Sequence, residues 1–282
     1  HTGFKGSWLC IYLEQFGAKV CGFSLSAQPK DNLFEQANIS ETMTSEIGDI
    51  RNLTHFKTFI YQQQPEVIFH LAAQSLVRES YIDPIETYST NVMGSLNLLE
   101  VIRTLDSVKA VIMVSTDKCY ENQESDIGYV ENDRLGGHDP YSSSKACLEV
   151  LVDSYRRSFL ASSNNFKFVA TARAGNVIGG GDYAKDRLVP DIVNACLNNS
   201  DINLRSPFAI RPWQHVLEPL SGYMMLAEKL FNCGEDYAQA WNFGPINSGD
   251  KTVEWITRYM LNNMDTCSSI IVDEHMQPYE TS

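Results

Sequence analysis

Long hydrophobic runs are absent from this 282-residue chain. None of its apolar stretches approaches the roughly 20 residues that a membrane-spanning helix needs, so no such span is expected. Positive charge is in deficit as well: 22 Lys and Arg against 35 Asp and Glu leave a net charge of −13. A nucleic-acid-binding surface is usually basic, and this balance argues against nucleic acid as a partner. The seven cysteines, at 10, 21, 119, 147, 196, 233 and 267, show no close-paired spacing. They read as free thiols of a reducing, cytoplasmic setting, and Cys119, with no histidine beside it, reads as structural. The six histidines show no two-histidine ligand spacing, so no catalytic metal is expected. Internal repeats and low-complexity tracts are lacking too.

What the chain does have is alternation. With 43% hydrophobic residues it can bury a core large enough for one main domain and a smaller lobe. Short runs rich in β-branched residues, at 19–23, 66–70, 108–114 and 166–172, predict strands. Helical patterns separate them. Trp8, Leu9, Ile11, Tyr12, Leu13 and Phe16 form one apolar stripe ended by Gly17. Asp83-Pro84 opens a second helix, and residues 141–161 carry a third through Leu148, Leu151, Val152 and Tyr155. The succession predicts an α/β fold with a doubly wound parallel sheet.

Two local patterns point to chemistry. His1-Thr2-Gly3-Phe4-Lys5-Gly6-Ser7 places two glycines three apart at a helix start. Small residues there let backbone amides and the helix dipole meet a pyrophosphate. A dinucleotide fold needs a strand and one more glycine before that turn. The chain is therefore expected to be part of a longer protein whose first strand would be central in the sheet. The second pattern is Ser115-Thr116-Asp117-Lys118 at the carboxyl end of a predicted buried strand, followed by Tyr141 and Lys145 one helical turn apart. In open parallel sheets, ligand sites form at those strand ends. A nearby ammonium lowers the pKa of a phenol, which would make Tyr141 a usable base for a sugar hydroxyl. A tyrosine and a lysine four apart are a weak signal alone, since such pairs commonly lie on solvated faces.

The combination is more specific. The glycine turn, Gly48-Asp49-Ile50-Arg51, His70-Leu71-Ala72-Ala73-Gln74, Asn91-Val92-Met93-Gly94, the Thr116-Asp117-Lys118 stretch and the Tyr141/Lys145 pair resemble the extended short-chain dehydrogenase/reductase family. Within it they resemble the nucleotide-sugar 4,6-dehydratases, as do Arg173 to Asp182, Asp186-Arg187-Leu188 and Ile210 to Val216. The resemblance runs to about residue 249. It implies a Rossmann-like dinucleotide domain over 1–175 and a substrate lobe over most of 176–282, with 239–246 returning to the first domain.

It further implies NAD, preferred over NADP by family, with Ser24 and Ser26 standing where an acidic ribose ligand would have been informative. Gly3, Phe4 and Gly6 would line the pyrophosphate, Asp49 and Ile50 the adenine, and Leu71, Ala72 and Ala73 the middle of the cofactor. Thr116, Tyr141 and Lys145 would act on the C4 hydroxyl of a nucleotide-linked glucose, with CDP-glucose as the implied substrate. Asp117 would be the acid for the departing C6 hydroxyl and Lys118 a base at C5, where many relatives carry Asp-Glu. Asn176, Arg187 and Arg211 would hold the nucleotide diphosphate, and His215 would either contact the nucleotide or be a buried structural imidazole. A 4-keto-6-deoxy sugar would result, of the kind used in deoxysugar and lipopolysaccharide O-antigen synthesis, made by a cytoplasmic homodimer. An epimerase or reductase of the same family, or a noncatalytic NAD-binding regulator, shares most of these features.

Overall fold

The computed structural model describes residues 1–28, 32–123, 127–160, 166–245, 250–264, 266 and 268–272. Residue 161, residues 246–249 and Cys267, all touched by the expectations above, lie outside these. The chain begins α1 (Phe4–Gln15), β1 (Cys21–Ser24), α2 (Leu33–Gln36), β2 (Thr44–Ile47), α3 (Leu53–Gln63) and β3 (Val67–His70). Short helices α4 (Val77–Ile82) and α5 (Pro84–Tyr88) pass through a π-helical stretch, Ser89–Gly94, into α6 (Ser95–Arg103). There follow β4 (Ala110–Val114), α7 (Pro140–Tyr155), β5 (Phe168–Ala174) and β6 (Val177–Ile178). The remainder comprises α8 (Leu188–Leu197), β7 (Ile202–Leu204), β8 (Ile210–Pro212), β9 (Gln214–His215), α9 (Leu217–Cys233), β10 (Ala240–Phe243), β11 (Asp250–Thr252), α10 (Val253–Asn263) and β12 (Ile270–Val272).

The main sheet has the order β10-β5-β4-β3, with every pairing parallel. β1 and β2 form a separate parallel pair. Strand β4 shows why this sheet is covered on both faces. Val111 and Met113 point into a core with Leu98, Leu99 and Ile102 of α6 and Leu148 and Val152 of α7. Ala110, Ile112 and Val114 point the other way, to Leu9 of α1 and Leu220, Tyr223 and Leu226 of α9. Period-2 alternation with no polar face is what a central parallel strand requires. Each such aliphatic side chain contributes about 1.5–3 kcal/mol by leaving water.

Two boundaries differ from the expectation. The helix carrying Tyr141 keeps regular α geometry only to Tyr155 and continues as a π-helical Arg156–Leu160. The chain also rejoins the large unit before 239: α9 packs on β4 and β5, and β10 then extends the sheet beside β5. The smaller lobe is built on α8, α10, β7 and β12, around Ile192, Cys196, Ile202 and Leu204. The six cysteines among the described residues are free. No described helix is long and apolar enough to cross a membrane, and no described cluster of His, Cys, Asp or Glu could hold a metal ion.

Candidate active site

A cleft of about 1450 Å³ takes in the whole gap between β1 and β3 and continues past the carboxyl ends of β4 and β5 to the smaller lobe. The N-terminus of α1 opens into it. Gly3 is the N-cap, and no side chain caps this end. The amides of the first turn are therefore free to meet an anion, and the dipole of the helix favours one. Gly6 allows the turn to close: a Cβ there would stand 2.9 Å from the His1 backbone. Thr2 Oγ1 shares a 3.0 Å hydrogen bond with Ser24 Oγ and donates to the Leu25 carbonyl, which fixes the turn against β1.

The loop Leu71-Ala72-Ala73 leaves β3 along the cleft, and a polar lock beneath sets its path. The Gln74 amide donates to Asn91 Oδ1, while Asn91 Nδ2 donates to the Gln74 carbonyl and to Ser144 Oγ of α7. His70 lies under the same loop. Ser95 Oγ donates its hydrogen to the Asn91 carbonyl, so it accepts from His70 Nε2 at 2.9 Å. Burial, with a smaller contribution from Lys145, holds the imidazole neutral with its pKa pushed down to about 3. Asp49 and Ile50 also border the cleft. Asp49 is held by the Arg51 guanidinium and amide, which pull its carboxyl below the usual range, and Ile50 packs against Gly94.

At the other end, β4 delivers Thr116, Asp117 and Lys118. Thr116 caps the turn Asp117–Cys119, accepting from the Lys118 amide and donating to Asp117 Oδ1 at 2.9 Å. Gly175 makes room for the acid, since a Cβ there would meet Asp117 Oδ2 at 2.9 Å. Helix α7 starts at Pro140 because buried Asp139 caps it, accepting from the Ser142 amide and hydroxyl. Tyr141 and Lys145 thus enter the cleft from its first two turns, with Thr116 beside the phenol. Lys118 lines the cleft half-buried.

The electrostatics differ from the expectation at the phenol. Lys145 Nζ donates to the Val114 carbonyl at 3.1 Å, and burial, partly offset by Glu149, brings its pKa down to about 8. Tyr141 moves up, to about 12, because burial outweighs the lowering pull of the neighbouring Thr116 hydroxyl. Burial thus keeps the phenol neutral, and the Lys145 ammonium is turned to the Val114 carbonyl.

Of the substrate-lobe candidates, Asn176, Arg187 and Arg211 border the cleft. Arg187 reaches Ser75 Oγ at 3.2 Å and lies 3.6 Å from Asp182. His215 does not reach it. Its ring is exposed beside Trp8, and Nδ1 accepts from the Leu217 amide, so it works as a local turn residue. Sequence reasoning missed Arg78 and Arg205, which converge on Asp186 and extend the positive wall of the cleft. It also missed Lys5, whose place inside the glycine turn masked it as a spacer.

Comparison with known proteins is in keeping with this geometry. A family model described as GDP-mannose 4,6 dehydratase matches residues 1–242. The CDP-glucose 4,6-dehydratase of Salmonella typhimurium is 48% identical over 283 residues, covering 99% of this chain and 79% of that protein. Among solved structures, dTDP-glucose 4,6-dehydratase of Bacillus anthracis in complex with NAD is similar, with a TM-score of 0.78 and 24% identity over 97% of this chain and 83% of that one. The UDP-glucose 4-epimerase of Thermus thermophilus in complex with NAD gives 0.81 and 20%, over 96% and 84%. At such identities the two structures establish the fold.

Proposed function

Because the chain belongs to the GDP-mannose 4,6 dehydratase family, we propose that it dehydrates CDP-glucose to the 4-keto-6-deoxy sugar, with NAD as its cofactor. The observation that carries this reading is the convergence of Thr116, Asp117, Lys118 and Tyr141 in one cleft, next to an uncapped helix N-terminus. The residues present fit a dinucleotide: Gly3, Phe4 and Gly6 would hold the pyrophosphate, Asp49 and Ile50 the adenosine end, and Leu71, Ala72 and Ala73 the middle. NAD would supply a reversible hydride acceptor and a positive ring, allowing C4 to be oxidised transiently and C6 to be reduced afterwards.

The chain's own residues handle protons. Thr116 and Tyr141 hold the C4 hydroxyl, and Tyr141 takes its proton once added positive charge offsets the burial that keeps the phenol neutral. Oxidation at C4 acidifies the C5 hydrogen. Lys118 accepts that proton and Asp117 gives one to the departing C6 hydroxyl, so water leaves across C5 and C6. Asn176, Arg187 and Arg211 hold the diphosphate, the guanidinium groups being suited to paired contacts with phosphate oxygens.

Asp-Lys at 117–118 favours dehydration over the epimerase or reductase alternatives, because elimination needs an acid and a base that simple C4 redox exchange does not. Offering CDP-, TDP-, UDP- and GDP-glucose separately and identifying products tests the reading. A 4-keto-6-deoxy product is expected from CDP-glucose at the highest kcat/KM; a C4 epimer as sole product would refute it.

We also propose a homodimer joined through α5 and α7. Ile85, Tyr88 and Met93 are exposed apolar residues that line one surface groove with exposed Cys147. Sedimentation velocity should report twice the chain mass, and a Met93→Glu change should return the protein to monomer. A cytoplasmic place in deoxysugar supply, such as for O-antigen, accords with the free described cysteines, and cell fractionation reads it.

A further inference from the structure

Lys5 is the second residue of α1, inside the glycine turn, and its side chain borders the cleft. Its ammonium donates to the Tyr223 hydroxyl at 3.4 Å and lies 5.6 Å from the centroid of the same ring. Tyr223 is a fully buried residue of α9, held edge-on by Phe243, so this anchor is rigid. The long stem of a lysine commonly carries its charge out to water. Here it is directed inward instead.

The surroundings make that placement costly. Arg187, at the head of α8, and Lys145, from α7, both repel the ammonium, while Asp117, from the turn after β4, attracts it. Tyr223 faces it from α9, and Tyr141 of α7 shares the same cleft. Burial first, then Arg187 and Lys145, bring the pKa of Lys5 down to about 8, against the smaller opposing pull of Asp117. Packing against Tyr223 alone needs no charge, since a methionine has a similar stem. With two cations and one anion around it, the ammonium gains when further negative charge arrives in the cleft.

We propose that Lys5 is a catalytic residue whose ammonium contacts the anionic oxygen that develops at C4 of the sugar as the C5 proton is removed. This rests on the dehydratase reading, and it adds a cation to the centre formed by Thr116, Asp117, Lys118, Tyr141 and Lys145.

Two variants separate charge from packing in the full-length, NAD-loaded protein. Lys5→Met keeps the stem and is expected to lower kcat for CDP-glucose about 100-fold, with KM within about threefold of wild type. Lys5→Arg keeps a charge that cannot be lost and is expected to recover kcat to within about tenfold. The alkaline limb of log kcat/KM should fall with a slope approaching two in wild type, as Lys5 and Lys145 both lose protons near pH 8, and about one in Lys5→Arg.

Lysine-selective NMR of the ε-methylene groups gives a readout that needs no turnover: Lys5→Met should lose one resonance that titrates near pH 8. A Lys5→Met enzyme with wild-type kcat, a loss confined to KM, or a Lys5→Arg enzyme no better than Lys5→Met would each overturn the proposal. A wild-type protein that makes no dehydrated product sinks the functional reading alone, and a lost resonance that titrates at the ordinary lysine value of about 10.4 sinks the Lys5 assignment alone.

Discussion

Replacing Tyr141 by phenylalanine is expected to lower kcat about a thousandfold while leaving NAD affinity near wild type, since removing a positioned acid-base group costs about 10²–10⁴ in rate. The ring keeps its place in the first turn of α7, where Asp139 and Pro140 set the helix start without using the phenol oxygen. Only the proton path from the C4 hydroxyl is removed. Rapid mixing should therefore show no transient reduced cofactor in Tyr141→Phe. A Lys118→Met variant should stop later, building up reduced cofactor but exchanging no C5 hydrogen with solvent deuterium. If Tyr141→Phe still reduced the cofactor at the wild-type rate, the phenol would not be the group that takes the C4 proton.

Replacing Arg173 by methionine should destabilise the fold by about 3–5 kcal/mol, because it strands a buried carboxylate. Arg173 Nη2 lies 2.7 Å from Glu149 Oε2, with the two side chains only 4% and 3% exposed. Burial opposes the charge of the guanidinium, and Glu149 outweighs it, holding the Arg173 pKa above its ordinary value. Thr171 Oγ1 donates to the same carboxylate oxygen. From its other side Arg173 donates to the Tyr120 hydroxyl and the Glu131 carbonyl, and Tyr120 donates on to Asn242 Oδ1 of β10. The pair thus ties the segment after the catalytic turn to the sheet.

A double change, Glu149→Leu with Arg173→Met, removes both charges and should recover stability to within about 2 kcal/mol of wild type. Urea unfolding of the three proteins measures this. Equal loss in the single and double variants would show that packing, not the stranded charge, dominates. Glu149 also supports the ammonium of Lys145 one turn away, so its loss should move the alkaline limit of activity to lower pH.

Much of the sheet was legible because β4 is apolar on both faces, a pattern no half-solvated strand has. Tyr141 and Lys145 were legible because helical spacing dictates a shared face. The electrostatic partner of Lys145 was not. Spacing places two side chains on one face, but whether an ammonium turns to a phenol or to the carbonyl of Val114 depends on which buried acceptor lacks a donor. Strand β2 escaped notice because Thr44–Ile47 is mostly polar and pairs with β1 alone. His215 looked like a ligand by its motif, yet the side-chain direction in β9 sends it to Trp8. Lys5 was hidden for a different reason: the glycines around it explain the turn so well that the intervening residue drew no notice.

The most direct measurement follows an isotope. CDP-glucose deuterated at C4 is given to the NAD-loaded protein, and the product is read by NMR and mass spectrometry. The account predicts a 4-keto-6-deoxy sugar that carries the deuterium on its C6 methyl group, transferred within the same molecule. Deuterium retained at C4 in an epimerised sugar, or lost to water before C6 is reduced, would contradict it.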